Sequence, residues 1–224
     1  MSEAQLHVLD DPAHVVGELI AAAAERGESI VLTGGSTPGR AYEHAAELQA
    51  DWSRASVWWG DERCVPPDDE RSNYGLARRT LLDLLEQQPG VHRIRGELKP
   101  ADAAAEYEQA IDGVELDFLL LGLGPDGHVA SLFPGSPQLF ERDRLVTSGP
   151  AGLEPFVDRV TLTLPALLLA KQIVLLVTGE SKAAAVERGF ARSMTDAVPA
   201  SLLRTGAAPV DVYLDPAAAS RLAS

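Results

Sequence analysis

The chain has 224 residues, enough for one large α/β domain whose core needs no disulfide or metal staple. Its formal net charge of −14 argues against nucleic acid and anionic membranes as partners. A lone cysteine, Cys64, excludes an intrachain disulfide, no apolar run reaches the roughly 20 residues of a membrane span, and Met1 to Asp10 lacks a signal-peptide pattern, so a cytoplasmic protein is expected.

Short β-rich apolar runs alternate with alanine-rich helical segments. Gln5 to Leu9 reads as a strand, and Asp11 with Pro12 opens a helix running to about Arg26, stopped by Gly27. Ser29 to Thr33 is a buried strand, followed by the turn Gly34-Gly35-Ser36-Thr37 and a helix opened by Pro38. Ser56 to Trp59 is the next strand; Gly60 to Arg71 reads as a charged, proline-containing loop, and Ser72 caps a helix ending near Leu85. A helix over 101–111 precedes the nearly all-apolar strand Asp117 to Leu121. Val157 to Thr163 and Gln172 to Thr178 are strands, Glu180 to Ala191 is a helix, and Val210 to Leu214 is the last strand. This alternation predicts a three-layer α/β/α sandwich with a mostly parallel, Rossmann-like sheet, occupying residues 1–224 as a single domain. Ligands of such folds lie beyond the carboxyl ends of the strands, so the loops after strands carry the chemistry.

Three such loops are informative. In Thr33-Gly34-Gly35-Ser36-Thr37-Pro38 the two glycines admit close backbone approach, and the next helix aims its amides and positive dipole end at the same place. A phosphate fits there; so does an ordinary turn with Ser36 or Thr37 as N-cap. In Gly122-Leu123-Gly124-Pro125-Asp126-Gly127-His128, the three glycines satisfy a dinucleotide fingerprint mechanically. The match lies mid-chain, and Pro134 leaves little room for a long helix, so no nicotinamide cofactor is expected. What remains is a turn presenting Asp126 and His128 at a strand end, a carboxylate and an imidazole suited to moving a proton. The bland alternative is a capping Asp beside a structural His. His7, His14, His44 and His92 lack metal-ligand spacing and read as surface or structural residues.

The third loop, Gly60-Asp61-Glu62-Arg63-Cys64-Val65-Pro66, packs charge immediately after a strand. Arg63 suits planar contact with an oxyanion, and Cys64 lacks an activating partner. Ser72-Asn73 is near enough in pattern to touch a ligand. Farther on, Arg159 opens a strand, and Lys182, one of only three lysines, stands at a helix start where a cation opposes the macrodipole. A bound phosphate rationalises that choice. The overall negative field is screened beyond roughly 8 Å, so a local cationic cluster can still hold an anion.

In this order along the chain, these motifs resemble the 6-phosphogluconolactonase family, which is related in fold to glucosamine-6-phosphate deaminases. The resemblance rests on Leu32 to Pro38, Gly60 to Pro66, Ser72-Asn73-Tyr74-Gly75, Gly122 to His128 with Ala130 to Gly135, Arg159 to Thr163, and Gly179 with Lys182. It implies hydrolysis of a phosphorylated sugar lactone without metal or organic cofactor. The family pattern places phosphate on Gly34, Gly35, Ser36 and Thr37 with Arg159 and Lys182, water activation on His128 beside Asp126, and substrate contact on Arg63. Asp61, Asn73, Gly124 and Gly127 complete the expected site. Leu167-Leu168-Leu169 departs from the family, which often carries Asn in that segment. A serine hydrolase using Ser36 or Ser131 lacks the Gly-x-Ser-x-Gly elbow. A deaminase or isomerase would use an acid such as Asp61. A sugar-phosphate-binding regulatory domain ranks last, because no DNA-binding extension is evident.

Overall fold

The computed structural model describes residues 3–222. In chain order these form β1 (Ala4–Val8), α1 (Pro12–Glu25), β2 (Ser29–Leu32), α2 (Ser36–Glu47), β3 (Ser56–Trp59), β4 (Asp61–Arg63), α3 (Asn73–Thr80) and β5 (Gly90–Val91). They continue with α4 (Pro100–Ile111), β6 (Phe118–Leu121), β7 (Val146–Gly149), β8 (Arg159–Leu162), α5 (Leu164–Leu167), β9 (Gln172–Val177), α6 (Ala183–Phe190) and β10 (Val210–Leu214).

Seven strands make one parallel sheet in the order β1-β10-β9-β6-β2-β3-β5. Every residue of β6, Phe-Leu-Leu-Leu, is buried, as a central parallel strand covered on both faces requires. From β2 the chain moves outward through β3 to β5, then returns to place β6 on the other side of β2 and continues outward through β9 to β10. The strand order therefore reverses between β2 and β6. A crevice opens at the carboxyl ends of strands flanking such a reversal, here at Thr33-Gly34-Gly35 after β2 and Gly122-Leu123-Gly124 after β6.

Two buried tyrosines fix the backbone beside that crevice. Tyr42 Oη donates to Thr33 O (2.6 Å) and accepts from Thr33 N (2.9 Å), and Tyr107 does the same for Trp59 (3.0 and 2.8 Å). Each phenol satisfies backbone groups where strand pairing ends, so the loops leave the sheet from fixed points. Burial pushes both phenols above the ordinary tyrosine value.

The charged segment expected to be a loop is partly a strand. β4 pairs antiparallel with β8, and β8 with β7, forming a second three-stranded sheet. Its polar side chains are stable there because they are partnered: Asp61 and Glu62 are 6% and 2% exposed, and both accept several hydrogen bonds. The helix after Ser72 ends at Thr80 rather than Leu85. Thr80 Oγ1 turns back to Leu76 O (2.9 Å), and Leu82–Leu84 forms a 3₁₀ turn instead. Glu180–Lys182 is likewise a 3₁₀ turn before α6, and β5 and β7 are short strands that the sequence pattern does not predict. Among the described residues no helix is long and apolar enough to cross a membrane.

Candidate active site

The crevice is a cavity of about 440 Å³ lined by the turns after β2 and β6, by β4 and β8, by Asn73 at the start of α3, and by Lys182 beyond β9. Its composition is lopsided. Arg63, Arg159 and Lys182 reach it from three elements, and Asp61, Asn73 and His128 face them.

His128 is held by its own turn. Its Nδ1 pairs with Asp126 Oδ1 at 2.6 Å, and the same oxygen accepts from His128 N at 3.2 Å. With Nδ1 engaged, Nε2 is the nitrogen left for a ligand. Phe133 packs against the ring with centroids 4.5 Å apart, limiting its rotation. Partial burial alone would raise the Asp126 carboxyl, but the His128 hydrogen bond and charge and two backbone donors outweigh it and hold Asp126 below its usual value. Asp126 thus stays anionic and orients the imidazole. Gly124 is required beneath this pair, because a Cβ would overlap both the His128 ring and Asp126 Oδ1.

Arg63 and Arg159 stand directly opposite each other in the β4–β8 pair. Arg159 is 3% exposed and donates only from Nη2, to Pro155 O at 2.9 Å; its Nε and Nη1 have no partner within the protein. Arg63 spends Nη1 on Arg71 O (2.5 Å), while its buried Nε is also unpartnered. Burial, then the charge of Arg63, lowers the Arg159 pKa. A buried polar group left unpaired typically costs about 1–3 kcal/mol, and more when it is charged. Three such unpartnered nitrogens belong to the two arginines that border this cavity. Lys182, half-buried, forms no ion pair among the described residues; burial lowers its pKa against the opposing pull of Asp126.

On the other wall, Asp61 Oδ2 accepts from Ser131 Oγ (2.6 Å) and Oδ1 from Asn73 Nδ2 (3.0 Å), while Asn73 Nδ2 also reaches Asp61 O (2.9 Å). The Ser131 hydroxyl therefore serves Asp61 and does not meet His128, which removes the serine–histidine arrangement of a covalent hydrolase. Asn73 Oδ1 is buried without a partner, and a Cβ at Gly34 would overlap it. Glu62 anchors the wall from behind, accepting from Arg63 N, Ser72 Oγ, Asn73 N and Tyr74 N (2.6 to 2.9 Å), with its pKa raised by burial.

Most of the expected residues converge: His128, Arg63, Gly34, Gly35, Asp61, Asn73, Gly124, Arg159 and Lys182 line the cavity, and Asp126 supports it through His128. Ser36, Thr37 and Gly127 do not line it. Ser36 is exposed, and the Thr37 hydroxyl pairs with Thr178 Oγ1 at 2.7 Å, joining α2 to the end of β9. Neither caps α2: Gly35 occupies the N-cap position at φ +114°, where a side chain is strained, and contributes no side-chain cap. Gly127 shapes the turn at φ +95° from outside the cavity, against Val198. Sequence reasoning missed Leu153 and Glu154, which line the cavity from a segment without periodic or glycine signal, and missed Glu62, whose role depends on burial.

The fold and cavity together define an α/β protein in which unpartnered guanidinium nitrogens and a carboxylate-supported imidazole share one cavity. The family model for glucosamine-6-phosphate isomerases and 6-phosphogluconolactonase matches residues 6–212, and the chain belongs to that family. Among its relatives, the 6-phosphogluconolactonase of Mycobacterium tuberculosis is 39% identical over 84% of this chain and 83% of its own. That of Streptomyces coelicolor is 37% identical over 94% and 88%. The 6-phosphogluconolactonase structure from Trypanosoma cruzi superposes with a TM-score of 0.83 at 31% identity, covering 100% of this chain and 99% of its own. A monomeric glucosamine-6-phosphate deaminase reaches 0.85 at only 20% identity, over 97% and 99%, a likeness of fold alone.

Proposed function

We propose that the chain, acting as one catalytic domain in the cytoplasm, hydrolyses 6-phospho-D-glucono-1,5-lactone to 6-phospho-D-gluconate, the lactone step of the oxidative pentose phosphate pathway. The observation that carries this reading is the pairing of His128 with Asp126 at 2.6 Å in a cavity whose other walls offer unpartnered guanidinium donors. The relatives named for this activity support it.

In this reading Arg159, Lys182 and the amides of the Gly34–Gly35 turn hold the substrate phosphate, positioning energy remote from the reacting carbon. His128 Nε2 takes a proton from water as the water oxygen bonds to lactone C1. Asp126 stabilises the imidazolium that forms. The C1 oxyanion is met by Arg63 or a glycine-turn amide. Collapse of the tetrahedral species breaks the bond from C1 to the ring oxygen, which receives the proton back from His128. The carboxylic acid product then ionises, releasing the proton that a pH-stat records. No step calls for a metal or organic cofactor.

The test compares phosphorylated and unphosphorylated gluconolactone by pH-stat in EDTA. Rapid turnover of the phosphorylated lactone, with kcat/KM lower by at least tenfold without the phosphate, is expected. Turnover that EDTA abolishes, or ammonia release from glucosamine 6-phosphate at a rate rivalling lactone hydrolysis, would overturn the assignment.

A further inference from the structure

Helices α1 and α2 lie side by side, and Gly17 of α1 packs directly against α2. A Cβ there would stand 2.7 Å from Ala41 O and 2.9 Å from His44 Cδ2. The missing side chain lets the His44 imidazole lie over α1, where it stacks on His14 with centroids 3.8 Å apart and planes inclined by 29°. Glu18 follows His14 by one helical turn on the same face, and its Oε1 is 3.7 Å from His14 Nε2. One nitrogen of each imidazole and one Glu18 oxygen all lie within 4.8 Å of one another.

A second observation concerns the state of His44. Its Nδ1 faces Glu47 Oε2 at 3.4 Å, whereas its Nε2 is buried and has no partner within the protein. A carboxylate on one ring nitrogen favours the proton there and leaves the lone pair of the other free. This is the arrangement in which histidines bind metals. An unpartnered buried nitrogen is otherwise a cost without return. His14 and Glu18 are exposed, so an ion reaches the cluster directly from solvent.

We propose that His14, Glu18 and His44 bind one divalent zinc-class cation, with Glu47 orienting His44 and solvent completing the coordination. Two imidazoles and one carboxylate suit zinc and its late first-row neighbours, whereas magnesium and calcium prefer all-oxygen sets. Bonds of about 2.0–2.2 Å require the three side chains to close inward by rotation, which the exposure of His14 and Glu18 permits. None of these residues lines the catalytic cavity. The ion pins α1 to α2, reinforcing the Arg40–Asp11 pair (2.9 Å) that already joins these segments. Because α2 begins at the turn beside the cavity, the clamp holds that turn without entering the chemistry. The site escapes a reading of sequence spacing because helix packing alone brings His44 to His14.

The test is calorimetric titration of the EDTA-stripped, dialysed full chain with zinc chloride, paired with thermal unfolding. One zinc per chain and a Tm rise of about 5–10 °C at a hundredfold excess over Kd are expected. The exposed-site variants His14→Ala and Glu18→Gln should fold normally, lose at least tenfold in zinc affinity and hydrolyse lactone at the wild-type rate. His128→Ala should bind zinc as wild type does, separating this site from the catalytic imidazole. Absence of saturable zinc binding by the wild type, undiminished binding by His14→Ala, or an equal response to magnesium chloride would each overturn the proposal.

Discussion

Arg63 and Arg159 face each other across the β4–β8 pair, two guanidinium groups in one cavity with three of their nitrogens unpartnered. Like charges directly opposite on neighbouring strands oppose pairing. Asp61 and Glu62 offset part of that repulsion at Arg159, and in the proposed function the substrate phosphate offsets the rest.

That repulsion separates stability from affinity. Arg159→Met should leave the free protein as stable as wild type or about 1 kcal/mol more stable, since a buried, half-satisfied charge is replaced by an apolar side chain. The same variant should raise KM for the phosphorylated lactone by about 10–100-fold, the equivalent of about 1.4–2.7 kcal/mol. Inorganic phosphate should raise the Tm of the wild type and fail to raise that of the variant. Urea unfolding with steady-state kinetics reads both quantities.

Asp126 gives a pH signature. Its native pKa lies below the ordinary value, so its contribution to stability is present above the unfolded carboxylate value and disappears as pH falls through the native one. The stability difference between wild type and Asp126→Asn should therefore be largest at neutral pH and shrink as the solution becomes strongly acid. In kinetics, Asp126→Asn should lower kcat by about 10–100-fold with little change in KM, the imidazole having lost the anion that favours its cation. A stability difference that grows on acidification would contradict the assignment.

Cys64 should be inert. Burial, then the charges of Asp158 and Glu62, push its thiol up to about 11, so little thiolate exists at neutral pH. Iodoacetamide at pH 7.5 should label it far more slowly than free cysteine, and Cys64→Ser should retain wild-type kcat. Rapid alkylation accompanied by loss of activity would show that the thiol is exposed to chemistry the site does not use.

Glu62 predicts a folding defect more than a catalytic one. Its four accepted hydrogen bonds hold β4 to the start of α3, and Gln in its place presents an amide to donors it cannot accept from. Glu62→Gln should lower the unfolding free energy by about 2–4 kcal/mol. A Tm within 1 °C of wild type, roughly the resolution of such a comparison, would contradict this role.

How far the sequence revealed these features depended on whether a feature was local. The apolar run of β6, the Asp11–Pro12 start of α1 and the glycine turns after β2 and β6 declare themselves through burial pattern and φ restrictions, which neighbouring residues encode. β4 did not. Asp61-Glu62-Arg63 carries the composition of a solvated loop, and it is a strand because Ser131, Asn73, Ser72 and β8 arrive from elsewhere to satisfy it. The same limit explains Ser36 and Thr37. Each has the chemistry of a cap or phosphate donor, but Gly35 takes the N-cap position and Thr178 takes the Thr37 hydroxyl. Leu153 and Glu154 reach the cavity through the path of an irregular segment, for which no residue pattern exists.

The most direct measurement is the single-variant turnover of His128→Ala on 6-phosphogluconolactone, corrected for spontaneous opening of the ring. Water activation by this imidazole predicts a fall in kcat of about 10²–10⁴-fold, with KM and phosphate-induced stabilisation kept near wild type. Retention of near wild-type kcat would contradict the account.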